Sequence, residues 1–334
     1  MSASRVGRAA LKAKVPVTGP KRTGSKIPLN GPGNKPPAAS SPLPKRANPH
    51  LVNLQETQPR MSPKVMTILG VGILGMSTYC GYLYASYRRE VTHAQSMDVP
   101  RDVSDRYNQT APTFDADVEM SEKLMRMGKK RRDLVLKARG NVLEVSCGTG
   151  RNLEYYELGQ QRKPNEKGQV ELRGCRSLTF IDLSPQMVEI ARGKFQKLHP
   201  GFKDVHFRAQ DVKDVTPPPT GDKRACFDTI VQTMGLCSMP DPVGALRHLG
   251  SITEPEKGQI LLLEHGRSHY DWLNRILDNL APAHADRHGC WWNRDIGAIV
   301  RESGLEVVEE KRWHFGTTWK FVLKPARGNQ GVQV

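Results

Sequence analysis

Apolar positions are distributed along this chain in three ways. Up to residue 64 they stand singly among Arg, Lys, Ser, Ala and Pro. Arg5, Arg8, Lys12 and Lys14, spaced among Val6, Ala9, Ala10 and Leu11, suit one or two basic amphipathic turns, and eleven prolines from Pro16 to Pro63 break any longer helix. Residues 65–87 then form an unbroken run of twenty-three residues without a charge, with Tyr79, Tyr82, Tyr84 and Tyr87 gathered at its C-terminal end. At ~1.5 Å per residue that run matches the ~30 Å apolar core of a bilayer, and the tyrosines match an interfacial belt. The pattern predicts one transmembrane helix over 65–87.

Beyond it, short apolar runs alternate with amphipathic stretches, which predicts an α/β domain. Strands are expected at Val142–Val145, Leu178–Asp182, around His206–Phe207, at Phe227–Val231 and at Gly258–Arg267. The Ile260–Leu263 run suits a strand covered on both faces. Helices are expected through Met120, Leu124 and Met127, from Leu153 onward, after Ser184-Pro185, after Asp241-Pro242 and after Asn293-Arg294-Asp295. Ser184 suits an N-cap and Pro185 the first helical position. Leu305–Trp313 and Phe315–Leu323 read as a closing antiparallel pair, and the polar stretch Glu157–Arg176 as a surface loop. The expected segments are a basic arm (1–64), the span (65–87), a linker with an N-terminal helix (88–140), the domain (141–325) and a flexible tail (326–334).

The chemistry centres on Val142-Leu143-Glu144-Val145-Ser146-Cys147-Gly148-Thr149-Gly150. A buried strand running into a Gly turn presents main-chain N–H groups to a ligand without side chains in the way. Leu153 stands where a G-x-G-x-x-G dinucleotide fingerprint needs its third Gly. The stretch instead resembles motif I of the class I S-adenosylmethionine (SAM)-dependent methyltransferases, acidic-x-G-x-G-x-G, with Glu144 as the acid and Ser146 in place of the first Gly. Ile181-Asp182-Leu183-Ser184-Pro185-x-Met187 resembles the second motif of the same family, and Tyr107 to Asp115 resembles a stretch found before motif I in the quinone-biosynthesis type.

The resemblance implies a Rossmann-like, seven-stranded, mainly parallel sheet with helices on both faces, preceded here by a single transmembrane helix. It implies SAM as cofactor. Glu144, Ser146, Gly148 and Gly150 would form the motif I turn, and Asp182 would accept from the ribose hydroxyls. Asp211 and Val212 would meet the adenine, Gln232 would begin the segment beside the methyl group, and Tyr107 with Phe114 would either cap the site or anchor the linker. His265 is the candidate general base, a strand-end His being equally suited to a structural role. Arg267 would meet an anionic acceptor or pair with a nearby acid. Tyr270–Trp292 would cover the acceptor pocket or pack onto the sheet. Methyl transfer from a sulfonium is a direct in-line displacement that needs alignment more than acid–base chemistry, and it needs no metal.

Charge and cysteines narrow this further. Residues 1–64 carry twelve Lys/Arg against Glu56 alone, hence +11 of the net +16. The basicity belongs to the arm and argues little for nucleic-acid binding by the domain. An acid-free, Arg-rich start suits a mitochondrial presequence or a basic tail with no address; with a presequence, the charge bias across the span would put the arm in the matrix and residues 88–334 in the intermembrane space. Six cysteines show no C-x-x-C pair, which argues against a disulfide framework or zinc motif; His284-x-x-x-His288-x-Cys290 has metal-ligand spacing or is a helix end that happens to hold them. There is neither an [DNS]-P-P-[YFW] stretch nor a Pro-Cys pair, so adenine-amino and C5-cytosine chemistry are disfavoured, and Cys237 reads as a small pocket or core residue. The chain resembles the fungal mitochondrial inner-membrane methyltransferases, with an unidentified acceptor and possible inner-membrane protein partners. Two rivals remain: a catalytically idle assembly factor on the same fold, and an RNA methyltransferase served by the basic arm.

Overall fold

The computed structural model describes residues 61–164, 170–217 and 226–326. Residues 1–60 of the basic arm, the centre of the polar insertion, residues 218–225 and the tail from residue 327 lie outside the described residues. By contacts the chain divides into Met1–Ser62 and Pro63–Val334. Among the described residues, every helix and strand belongs to the second unit.

Helix α1 (Pro63–Gln95) extends past both ends of the uncharged run. Its apolar side chains are exposed, among them Ile68, Val71, Ile73 and Leu74. Thr67 and Thr78 donate their hydroxyls back to the carbonyls of Pro63 and Leu74, which satisfies them without water. Val91 and Ala94 near its C-terminus are buried. There Tyr87 Oη accepts from Asn279 Nδ2 at 3.0 Å.

Three short helices follow: α2 (Arg106–Thr110), α3 (Phe114–Leu124) and α4 (Met127–Val135). The single helix expected through Met120, Leu124 and Met127 is broken at Arg126, whose φ of 51° no helix accommodates. Met120 and Leu124 consequently stay in solvent while Met127 is buried.

Next come β1 (Arg139–Val145), β2 (Gln161–Pro164), β3 (Val170–Asp182), α5 (Pro185–Leu198), β4 (Val205–Ala209), β5 (Thr229–Thr233), α6 (Pro242–Ser251), β6 (Gln259–His265), α7 (Asp271–His288), α8 (Ile296–Ser303), β7 (Glu306–Trp313) and β8 (Thr318–Lys324). They build one eight-stranded sheet in the order β2-β3-β1-β5-β6-β8-β7, with β4 also on β3. Strands β4, β3, β1, β5 and β6 run parallel, and β8 and β7 close the sheet antiparallel. The seven expected strands are present and β2 is the eighth. It arises inside the insertion expected to be a loop, where Gln161–Pro164 pairs with the start of β3. A main-chain ladder needs no buried face, so apolar patterning could not reveal it.

Alternate side chains of the central strands enter two cores. Leu143, Val145, Ile260 and Leu262 meet α6 and α8, whereas Val142, Leu261 and Leu263 meet α4 and α5. The cap anticipated from sequence is formed, Ser184 Oγ accepting from Met187 N, and the helix starts at Asp241 and Asp295 are capped too, Asp241 Oδ1 accepting from Gly244 N and Asp295 Oδ1 from Ala298 N. The helix expected from Leu153 is only a 3₁₀ turn, Leu153–Tyr155. Asn152 and Tyr156 on either side of it both donate to Glu144, which pins the segment and stops a longer helix.

Candidate functional site

Because β1 connects to neighbours on both of its sides, the sheet has a switch point at its carboxyl edge, where open α/β sheets bind ligands. A cavity of about 1110 Å³, counting its mouth, opens there. Ser146, Gly148, Asp182, Asp211, Val212 and Tyr107 all line it.

The β1 turn forms its floor. Ser146 has φ 51° and Gly148 φ 54°, both left-handed. A Cβ at Gly148 would meet nothing within 4 Å, so this backbone faces open space. Gly150 plays a different part and does not line the cavity. A Cβ there would meet Leu153 Cδ1 at 2.5 Å and Ala191 Cβ at 3.2 Å, so its job is close packing. Ser146, the departure from motif I, is accommodated by Gly235, where a Cβ would lie 2.7 Å from both Cβ and Oγ of Ser146.

Asp182 ends β3 with its Oδ2 accepting from Gly148 N and its Oδ1 from Ser184 N, each at 2.9 Å. Burial raises its pKa, and those N–H groups hold it back. Asp211 lines the cavity, and its Oδ1 caps the following 3₁₀ turn by accepting from Lys213 N at 2.9 Å. Over the mouth, Tyr107 packs edge-on against Phe114 (6.1 Å between centroids) and its hydroxyl lies 2.9 Å from Ser238 Oγ. Both rings line the cavity.

Besides Gly150, three sequence candidates lie elsewhere. Glu144 is fully buried behind the turn, accepting from Asn152 Nδ2 at 2.9 Å and Tyr156 Oη at 2.6 Å. Burial raises its pKa to about 7, against the opposing pull of those two donors. It braces the motif rather than facing a ligand. Gln232 is likewise buried beneath the wall, with Nε2 3.8 Å from Met239 Sδ. His265 does not line the cavity, and its Nε2 lies 2.7 Å from Cys290 Sγ. The geometry lends no support to a general-base role for it. Arg267 pairs with Asp278 at 2.8 Å, and α7 packs against α1 and α2 without reaching the cavity. His284 stacks on Trp292, so the His284/His288/Cys290 spacing does not converge on one point.

Arg131 of α4 was invisible to motif reading. It lines the cavity, donating through Nη1 to Thr233 Oγ1 (2.6 Å) and Asn152 Oδ1 (3.1 Å) and through Nη2 to Glu122 Oε1 (2.8 Å). Arg151 bridges Glu122 and Asp115, and Asp115 also takes Thr149 Oγ1 and pairs with Lys194. This network ties α3 and α4 onto the β1 turn. Among the described residues, the buried side-chain atoms without a partner are Arg131 Nε and Gln232 Oε1.

SAM fits this set of groups. Its ribose hydroxyls need an acceptor with free lone pairs, offered by Asp182, and its adenine needs an apolar face with a nearby acid, offered by Val212 and Asp211. Its zwitterionic amino-acid end needs a cation, and Arg131 lines the cavity.

Residues 114–310 match a family described as a methyltransferase domain. The mitochondrial methyltransferase OMS1 of Saccharomyces cerevisiae is 40% identical over 233 residues, covering 67% of this chain and 46% of that protein. This chain therefore spans less than half the length of that relative. Solved structures that match include an O-methyltransferase family protein from Burkholderia thailandensis (14% identity, TM-score 0.48, covering 75% of this chain and 71% of that one). Another is a Haloferax volcanii methyltransferase solved with the Trm112 activator (15% identity, TM-score 0.46, covering 70% and 100%). With more than half of its length matched by the family and the motif residues gathered at the switch point of its sheet, the chain belongs to the methyltransferase-domain family.

Proposed function

We propose that this protein is a SAM-dependent methyltransferase anchored by α1 in the mitochondrial inner membrane, with its domain facing the intermembrane space and an apolar acceptor of lipid or quinone type. The observation that carries the activity is the convergence of Ser146, Gly148, Asp182, Asp211, Val212, Tyr107 and Arg131 on one cavity. Bound SAM would supply an already electrophilic methyl group. The chain's part is to bind and orient: Asp182 and Asp211 hold the nucleoside, Arg131 the amino-acid end, and Tyr107 with Phe114 shields the site from water. Thr233, Met234 and Gly235, which follow Gln232, supply the wall beside the methyl group.

The anchor rests on the length and exposure of α1, and the compartment on the basic arm and the OMS1 relative. Calorimetry with SAM tests the site: binding that Asp182→Ala abolishes supports it, and no heat at millimolar SAM refutes it. Labelled SAM given to membranes with and without the protein, followed by separation of lipid, protein and RNA fractions, identifies the acceptor class. Label in lipid supports the proposal, whereas label in protein or RNA overturns the apolar acceptor. Alkaline extraction tests the anchor, since a chain lacking residues 61–86 should leave the membrane and the full chain should not.

The idle assembly factor keeps one observation in its favour: Ser146 holds a side chain where the family's motif has none. It predicts a stable protein with no SAM binding at all.

A further inference from the structure

Beside the cavity, three metal-ligating side chains that are distant in sequence meet at one point. The ligand atoms of Cys237, His265 and Cys290 all lie within 4.8 Å of one another. Both cysteines are buried and His265 is partly so. Among the described residues this is the group of His, Cys and carboxylate side chains that converges closely enough to hold an ion.

Each ligand sits on a firmly held piece of backbone. Cys237 follows the left-handed turn at Met234 by which the chain leaves β5. His265 is the last residue of β6, paired across to Thr318 of β8. Cys290 follows Gly289, the left-handed C-cap of α7. Trp291 N donates to Cys237 O at 3.1 Å, so the two cysteine-bearing segments are already clasped. None of the three ligands lines the cofactor cavity, but Ser238, the neighbour of Cys237, does, and it holds the Tyr107 hydroxyl.

The donor set selects the ion. Two thiols and one imidazole suit zinc, and poorly suit magnesium or calcium, which take oxygen. Around a tetrahedral zinc, bonds of ~2.3 Å to sulfur and ~2.0 Å to nitrogen put neighbouring S and N atoms about 3.5 Å apart. His265 Nε2 and Cys290 Sγ, now at 2.7 Å, need to part by less than ~1 Å to reach that spacing. Binding displaces a proton from each thiol to solvent, and two thiolates neutralise a divalent ion. The buried assembly then carries no net charge, which removes most of the penalty for burying an ion.

We infer that Cys237, His265 and Cys290 bind one Zn²⁺ ion through three protein ligands, with a fourth position left to a non-protein ligand, fastening the exit of β5 to the end of α7 beside the cofactor cavity. The site does not depend on the methyltransferase reading.

The test uses the full-length chain in detergent, purified under reducing conditions, supplied with Zn²⁺ and then freed of loosely held metal. The expected result is about one zinc per chain. Its zinc-edge X-ray absorption should show two sulfur neighbours and at least one imidazole nitrogen. Cys290→Ser should weaken binding more than ~10-fold, since it removes a direct ligand. Cys80→Ser, in exposed α1, should leave it unchanged. If Cys290→Ser does not fold, the absorption spectrum of the unmodified chain decides alone. A shell of oxygen and nitrogen only, retention below about a tenth of an ion per chain, or a Cys237–Cys290 disulfide in non-reduced peptides from a parallel preparation made without reductant would each overturn the site.

Discussion

Gly235→Ala is the sharpest test of how this chain tolerates Ser146. The new Cβ would lie 2.7 Å from Ser146 Cβ, 2.7 Å from Ser146 Oγ and 2.8 Å from Gln232 Nε2. Neither backbone can retreat: Cys147 N donates to Ile181 O at 3.0 Å, and Gly235 N to Glu264 Oε1 at 3.2 Å. Overpacking of this kind costs about 1–3 kcal/mol. Ser146→Gly alone removes a left-handed non-glycine residue, a gain of roughly 1–2 kcal/mol, offset by about 0.4–1 kcal/mol of added freedom in the unfolded chain. It should be neutral to slightly stabilising. In the double variant both Ser146 contacts vanish, and only the end of the Gln232 side chain remains to be moved. The double variant should therefore recover most of what Gly235→Ala loses, with a coupling energy of about 1–2 kcal/mol. Thermal unfolding of the four proteins reads this out, at roughly 2–4 °C per kcal/mol for a domain of this size. SAM calorimetry on the same four shows whether the floor of the cavity is restored. If the two substitutions add within ~0.5 kcal/mol, Ser146 and Gly235 do not compensate each other and the account of motif I fails.

Other predictions concern the bracing of the site. Glu144 titrates near 7 in the fold against 4.5 when exposed. The native state therefore holds the extra proton, and stability is full below about 4.5 and falls as pH rises to about 7, by up to ~3 kcal/mol. Glu144→Gln should abolish that slope in urea titrations at several pH values, and a slope unchanged in the variant refutes the assignment. Asp182→Asn places an amide N–H against one of two backbone donors, Gly148 N or Ser184 N, and should weaken SAM binding by ~10-fold or more in calorimetry. Ser184→Ala removes the α5 cap and should lower stability by about 1 kcal/mol with little change in SAM affinity. Tyr107→Phe removes only the hydroxyl bonded to Ser238 and should raise the KM for SAM modestly while leaving thermal stability within ~1 kcal/mol; a larger loss of stability would make Tyr107 an anchor of the linker instead.

Sequence alone determined whatever depends on neighbours along the chain. Residues 178–182 read as a strand, Ser184-Pro185 as a helix start and 65–87 as an apolar helix, because period, caps and uncharged length are local properties. Motif spacing likewise placed Ser146, Gly148, Asp182, Asp211 and Val212 together, since in a parallel sheet consecutive strand ends reach the same edge. Tertiary structure decided everything that required side chains far apart to choose partners. Glu144 turned inward because Asn152 and Tyr156 offered it two hydrogen bonds, and β2 formed because β3 extended beyond the sheet to pair with it. Arg131 became part of the cavity only through the packing of α4, which no motif spells out. The same holds for Cys237, His265 and Cys290: dispersed over three elements, they carry no spacing signal, and only the fold brings their donor atoms to one point.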